Sequence, residues 1–282
     1  MSRKFNLYKV VKIGLKALKR TKIPLYWSRF SRKDYTLHQH IMLIVLAQYA
    51  GSIERMLQIV REMRKIKRVM RLKKIPHKST ISRELRRIPE LWIRIVLREI
   101  IRALGIPSKF AVDSTGIQIS YRSYYYTQRI GEVGKIREGL KLHAAVDIDT
   151  KLITNAIVTK WHTNDSPYLI PLLEEERVKE VYADKGYDSL RNIRFVLNKG
   201  GTPYIAIRNK ARRGLRRRLL EKSKSPDWKK KYSQEGGRAP FLNPQSVFHS
   251  FKRIVGDYIF SHSFSVASKL LLFKVLAYDL YV

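Results

Sequence analysis

The hydrophobic period of this 282-residue chain changes near residue 107, and that change limits the architectures it can build. Before that point apolar residues recur at helical spacing. "YTLHQHIMLIVLAQYA" (35–50) is one such run, Gly51 and Ser52 punctuate it, and "IERMLQIVREMRKIKRVMR" resumes with Ile53, Met56, Leu57 and Val60 on one face. "IPHKSTISRELRRI" then offers Ser79 or Thr80 as the N-cap of a short, strongly basic helix. That helix is either the reading helix of a helix-turn-helix or the solvated face of a small helical bundle. Beyond 107 the runs are short and strand-like, at 109–114, 140–149, 152–159, 179–184 and 203–207. Helices are expected within "NDSPYLIPLLEEER", with Ser166 as N-cap and Pro167 at the first helical position, and over 189–200. Three strands, a helix, a strand, a helix and a strand describe an α/β domain with a mixed sheet. The expected division is a helical region over 1–106 and an α/β domain over 107–282. A connection at 208–244 is too polar to be core, and two apolar helices close the chain.

Charge narrows the partners. Lys and Arg number 58 against 23 Asp and Glu, a formal net charge of +35. Self-repulsion on that scale opposes a compact state unless a polyanion or salt screens it. Nucleic acid fits, because each phosphate neutralised releases condensed counterions. An anionic membrane is the rival, but no apolar stretch approaches the roughly 20 residues that span a bilayer. The longest, "IMLIVLAQYAG" (41–51), is broken by Gln48. The basic amino terminus lacks the long apolar run of a secretory signal. With no cysteine there is no disulfide framework and no zinc–thiolate site. The expectation is a soluble intracellular protein. With 16 Tyr, 4 Trp and 44% hydrophobic residues, the chain has the content to fold.

Two acids stand out against the basic background. "FAVDSTG" (110–116) runs apolar into Asp113 and then a Ser-Thr-Gly turn; "VYADKG" (181–186) repeats the arrangement at Asp184. One such acid is ordinarily a turn residue. Two, at the ends of strands about 4.8 Å apart in one sheet, can hold a divalent metal between them. Burying two like charges without a cation is costly. Oxygen ligands in a cysteine-free chain suit Mg²⁺ or Mn²⁺. Two such ions about 3.5–4 Å apart would serve phosphodiester chemistry.

"AVDSTG", "GLKLHAAVDIDTKLI", "HTNDSPYL", "VYADKGYDS" and "FKRIVGDY" together resemble the DDE transposases of prokaryotic insertion sequences. The resemblance covers about 107–282 and, loosely, the residues before it. It implies a ribonuclease-H-like mixed sheet with flanking helices and three catalytic acids: one on the first strand, one after the fourth, one on a late helix. Asp113 and Asp184 match the first two. Asp147, Asp149 and Asp188 read as turn or cap residues, Asp165 as part of a helix start. His143 and His162 stand where the family often has histidines, and each is otherwise a structural histidine. Anchoring the family's late lysine on Lys252 puts the third acid's position at Gln245, preceded by Pro244, with Phe241 and Arg238 where the family has arginine and tyrosine. Glu235 is the nearest upstream acid.

The resemblance implies a nucleoid-associated cytoplasmic protein of a prokaryote. It implies a polynucleotidyl transferase that takes double-stranded DNA, as element ends and target, in a homodimer. The basic connection, with Arg212, Arg213, Arg216 and Arg217, is expected to clamp phosphates beside the cut, and Lys252 and Arg253 to contact DNA near the site. Arg83 and Arg86 are the expected contacts of the short basic helix. "SYYYTQR" (123–129) offers aromatics either for base stacking or for packing. Three function classes follow: an active transposase, a DNA-binding remnant impaired by Gln245, and a charge-driven RNA-binding or nucleoid-packing protein.

Overall fold

The computed structural model describes residues 5–105, 107–120, 139–208, 213–236, 247–261 and 263–282. They gather into two compact units, Met1–Leu104 with Ile254–Val282, and Gly105–Arg253.

The first unit is helical: α1 (Leu7–Arg20), α2 (Leu37–Ala50), α3 (Ile53–Glu62), α4 (Arg64–Met70), α5 (Lys78–Arg87) and α6 (Glu90–Leu104). The short strand Tyr258–Phe260 and a carboxy-terminal helix, Phe264–Tyr281, complete it. Two of these helices are apolar around their whole circumference. α2 buries every residue from Leu37 to Gln48, and the carboxy-terminal helix buries Leu271 to Leu280. Helices of that kind belong inside a bundle, and the carboxy-terminal helix packs on α2 and α6. This packing explains why residues 254–282 group with the helical region, whereas the hydrophobic period alone divides the chain at 106/107. Gln48, which interrupts the apolar run, is satisfied within its own helix by the Ile44 carbonyl at 2.9 Å. α2 starts on a capping box between Thr36 and Gln39 and ends at Gly51, in the left-handed region at φ 78°. α5 starts two or three residues earlier than expected. His77, not Ser79 or Thr80, caps it, its Nδ1 accepting from the Ser79 N–H at 3.3 Å. Ile81, Glu84 and Leu85 face inward from α5, leaving Lys78, Arg83, Arg86 and Arg87 exposed. No helix among the described residues is long and apolar enough to cross a membrane.

The second unit is built on a mixed sheet. Its strands are β1 (Lys109–Ser120), β2 (Gly139–Asp147), β3 (Ile153–Lys160), β4 (Glu180–Ala183) and β5 (Thr202–Ile205). Their continuous path runs β3-β2-β1-β4-β5. β1 pairs antiparallel with β2, and β2 with β3; β1 pairs parallel with β4, and β4 with β5. Fold class and flanking helices are those the sequence led us to expect. Side chains alternate across a strand, and β1 shows it. Phe110 and Val112 enter a core with Leu169, Leu172, Leu173, Ile193 and Val196, from the helices Leu169–Leu173 and Leu190–Asn198; Ala111 packs with Tyr182 and Ile148 in a separate cluster. Trp161 lies against β1 and β2 where both carry glycine; a Cβ at Gly116 or Gly139 would stand 2.3 or 2.2 Å from its ring.

The connection at 208–244 departs from expectation. Its described part is helical, Gly214–Ser223 and Pro226–Gly236, and it contributes to the core. Leu220 is buried in the same cluster as β1, with Leu215 and Leu219 packed against it. Trp228 stacks on Tyr232 at 4.7 Å, and Tyr204 stacks on Tyr182 at 4.8 Å. The physical reason is spacing: Leu215/Leu219 and Trp228/Tyr232 are i,i+4 pairs, so each places two apolar groups on one helix face amid many charges.

Candidate active site

The parallel ladder between β1 and β4 ends at the pair Val112–Ala183. The next residue after each is an acid, so Asp113 on β1 and Asp184 just past β4 come to the same rim, one strand spacing apart. Asp113 stays within β1, opposite Ala144 of β2, and is half-buried. Asp184 is exposed and opens a single 3₁₀ turn, Lys185–Tyr187, its Oδ1 accepting from the Gly186 N–H at 2.8 Å. A Cβ on residue 186 would come within 2.9 Å of that oxygen, so glycine leaves the carboxylate undisturbed.

Burial pushes the Asp113 carboxyl up to about 7. The neighbouring negative charges of Asp184 and Asp165 push the same way, while the Ser114 N–H and Lys141 oppose them. Two tyrosines share this field. Tyr187 is buried, its hydroxyl has no hydrogen-bond partner among the described residues, and burial followed by Asp113, Asp165 and Asp184 raises its pKa. Tyr232, which donates to the Ala183 carbonyl at 3.3 Å, is raised to about 12 by burial and then by Asp184 and Asp113.

Asp165 stands at a helix start, as the N-cap residue of the 3₁₀ turn Ser166–Tyr168, but its side chain makes no capping bond. It pairs with Lys141 at 2.8 Å, and its Oδ1 lies 3.2 Å from Nδ1 of His143. His143 is fully buried, stacked on Tyr168 at 4.2 Å, with Nε2 2.9 Å from the Thr159 hydroxyl. Burial lowers its pKa to about 4, against the pull of Asp165, so it is neutral at pH 7. His162 is exposed. Asp147 is a turn residue, its Oδ2 accepting from the Thr150 N–H and hydroxyl. Lys141 went unnoticed in the sequence. Its signal was a cation in a mostly apolar strand, sharing a strand face with His143 and Ala145.

Asp188 and Arg216 are partners. The Asp188 carboxylate, with no exposed side-chain surface, accepts Nε and NH2 of Arg216 at 2.9 and 2.5 Å and the Arg208 N–H at 2.9 Å. Arg216, expected on DNA, therefore spends its guanidinium fork on fastening its helix to the turn that follows Asp184. Arg217 pairs with Glu221 at 2.5 Å; Arg213 and Arg253 are exposed and Lys252 is half-buried. Arg212, Arg238, Phe241, Pro244, Gln245 and the tyrosines of 123–129 lie outside the described residues. Glu235 falls in the last turn of the helix Pro226–Gly236.

Asp113 and Asp184 supply oxygen donors that suit a hard cation, and the raised Asp113 carboxyl marks a place where a dication would relieve repulsion. Among the described residues no group of three or more His, Asp or Glu is arranged to hold a metal.

A family model described as a transposase DDE domain matches residues 105–279. No curated protein matches the chain. Among solved structures, a piggyBac transposase synaptic complex with hairpin DNA aligns over 99% of this chain and 72% of its own, at 11% identity and a TM-score of 0.49.

Proposed function

The chain belongs to the family of transposase DDE domains, and on that premise we propose that it binds the ends of a mobile element and cuts and joins DNA by metal-dependent phosphoryl transfer. The observation that carries this reading is the convergence of Asp113 and Asp184 at one rim of the sheet, on strands in register. These two carboxylates would hold Mg²⁺ or Mn²⁺. The ion, when bound, supplies Lewis-acid polarisation of the phosphodiester. The protein's own part is placement. β1 fixes Asp113, the Gly186 N–H orients Asp184, and Lys141 balances the extra charge of Asp165. Arg213, Lys252 and Arg253 are the proposed backbone contacts of the sheet unit, positioning double-stranded DNA without reading it. Arg83 and Arg86 are the proposed phosphate contacts of the helical unit. Two element ends must be held together, so the working assembly is a homodimer, in the nucleoid of a prokaryotic cell.

Gln245 favours a second reading. A neutral amide at the family's third acid position leaves one ligand short, and the chain then binds DNA but cuts slowly. One experiment addresses both. Duplex DNA bearing the inverted repeats that flank the coding sequence is incubated with Mg²⁺ and the wild-type, Asp184→Asn or Gln245→Glu chain. Cleavage by wild type that Asp184→Asn abolishes, with DNA binding intact, supports the active enzyme. Cleavage that emerges only with Gln245→Glu supports the impaired copy. Loss of DNA binding in Asp184→Asn means the acid holds the fold, and the reading fails.

A further inference from the structure

The helical unit carries a groove of about 1220 Å³ lined entirely by its own residues. Its walls come from the start of α3, one side of α5, the strand Tyr258–Phe260 and the first turns of the carboxy-terminal helix. Two properties of these walls point to one kind of occupant.

The first is cationic. Arg83 and Arg86 line the groove, both exposed and neither with a side-chain partner among the described residues. Lys78, beside them, is paired with Glu54. The carboxy-terminal helix, 18 residues long, brings its amino-terminal end here with Ser265 and Val266, and its N-cap Ser263 makes no side-chain capping bond. A helix start adds positive potential to what the arginines supply.

The second is apolar. Ile259, Val266 and Leu270 face the same space, and Phe260 stands in it with 72% of its surface exposed. The outer surface of a duplex offers phosphate and sugar, which would leave this wall wet. At about 1220 Å³ the groove also exceeds the roughly 300–1,000 Å³ of small-ligand clefts. A charged groove combined with an exposed aromatic platform is what an unpaired strand requires, phosphates on the cations and a base on the ring.

We propose that this groove seats a short unpaired stretch of DNA, its phosphates on Arg83 and Arg86 and one base stacked on Phe260. The inference rests on the reading that DNA is this chain's partner, and it uses neither acid of the candidate active site.

The test is fluorescence anisotropy of the full chain in EDTA, with labelled oligothymidylate and a blunt duplex of the same length, over a range of salt. Phe260→Ala should weaken single-strand binding about tenfold, the loss of one stacked base, and leave duplex binding unchanged. Phe260→Trp should restore it. Because the side chain is so exposed, the Phe260→Ala chain should unfold at the wild-type temperature. Replacing Arg83 and Arg86 together by Gln should make the log-affinity against log-salt slope shallower by about 1.4, at about 0.7 per phosphate. If Phe260→Ala changes neither affinity, or both equally, the seat is not there and the inference falls while the acid pair stands. If neither form of DNA binds, the wider reading falls with it.

Discussion

Replacing Asp113 by Asn should stabilise the metal-free protein, by an amount that grows with pH. The Asp113 carboxyl titrates at about 7 in the fold against an ordinary 3.8. Between those values the folded state holds a proton that the unfolded chain has already released. Stability therefore falls as pH rises through that window. Below about 4 the penalty is absent; above about 7 it is fully present. At about 1.4 kcal/mol per pH unit, keeping the ionised carboxylate in the fold costs on the order of 4 kcal/mol. Asn has the same shape and no charge, so it removes this cost. Urea unfolding of both chains in EDTA should give equal stabilities near pH 4 and an advantage for Asp113→Asn of up to about 4 kcal/mol near pH 8. Adding Mg²⁺ at pH 8 should raise wild type and leave the variant unmoved, closing the gap. A variant less stable than wild type at every pH would refute the reasoning, for it would make Asp113 a structural acceptor.

Other perturbations test the packing around the site. Arg216→Ala strands the buried Asp188 carboxylate and should cost about 3 kcal/mol in denaturant unfolding, whereas Arg217→Ala, which breaks an exposed pair, should cost less than about 1 kcal/mol. Gly116→Ala drives a methyl into Trp161 and should cost about 1–3 kcal/mol by the same assay, a cost that Trp161→Ala in the same chain relieves in part. Gly186→Ala crowds Asp184 Oδ1 and should weaken Mg²⁺-dependent cleavage and Mn²⁺ affinity together while leaving duplex affinity in EDTA unchanged.

The two strand-end acids were legible because their signal is local: three or four apolar residues, a carboxylate, then a glycine turn. The α/β architecture was legible for the same reason, since each strand is a short run with its own punctuation. What surrounds the acids was not. Lys141 meets Asp165 from 24 residues away, and His143 meets Thr159 across a strand pair. Neither contact leaves a periodic trace. Charge hid the helices Gly214–Ser223 and Pro226–Gly236, where arginines and lysines outnumber the few leucines and aromatics that anchor them. Arg216 shows the limit most plainly. As a residue in a basic run it looked like a phosphate contact, and only the fold brings Asp188 to it.

Titrating Mn²⁺ into the DNA-free chain and counting the bound ion by electron paramagnetic resonance tests the shared cation most directly. Wild type should bind Mn²⁺, Asp113→Asn and Asp184→Asn should each lose most of that affinity, and the double variant should lose little more than either. Single variants that bind as tightly as wild type would mean the two carboxylates do not share an ion.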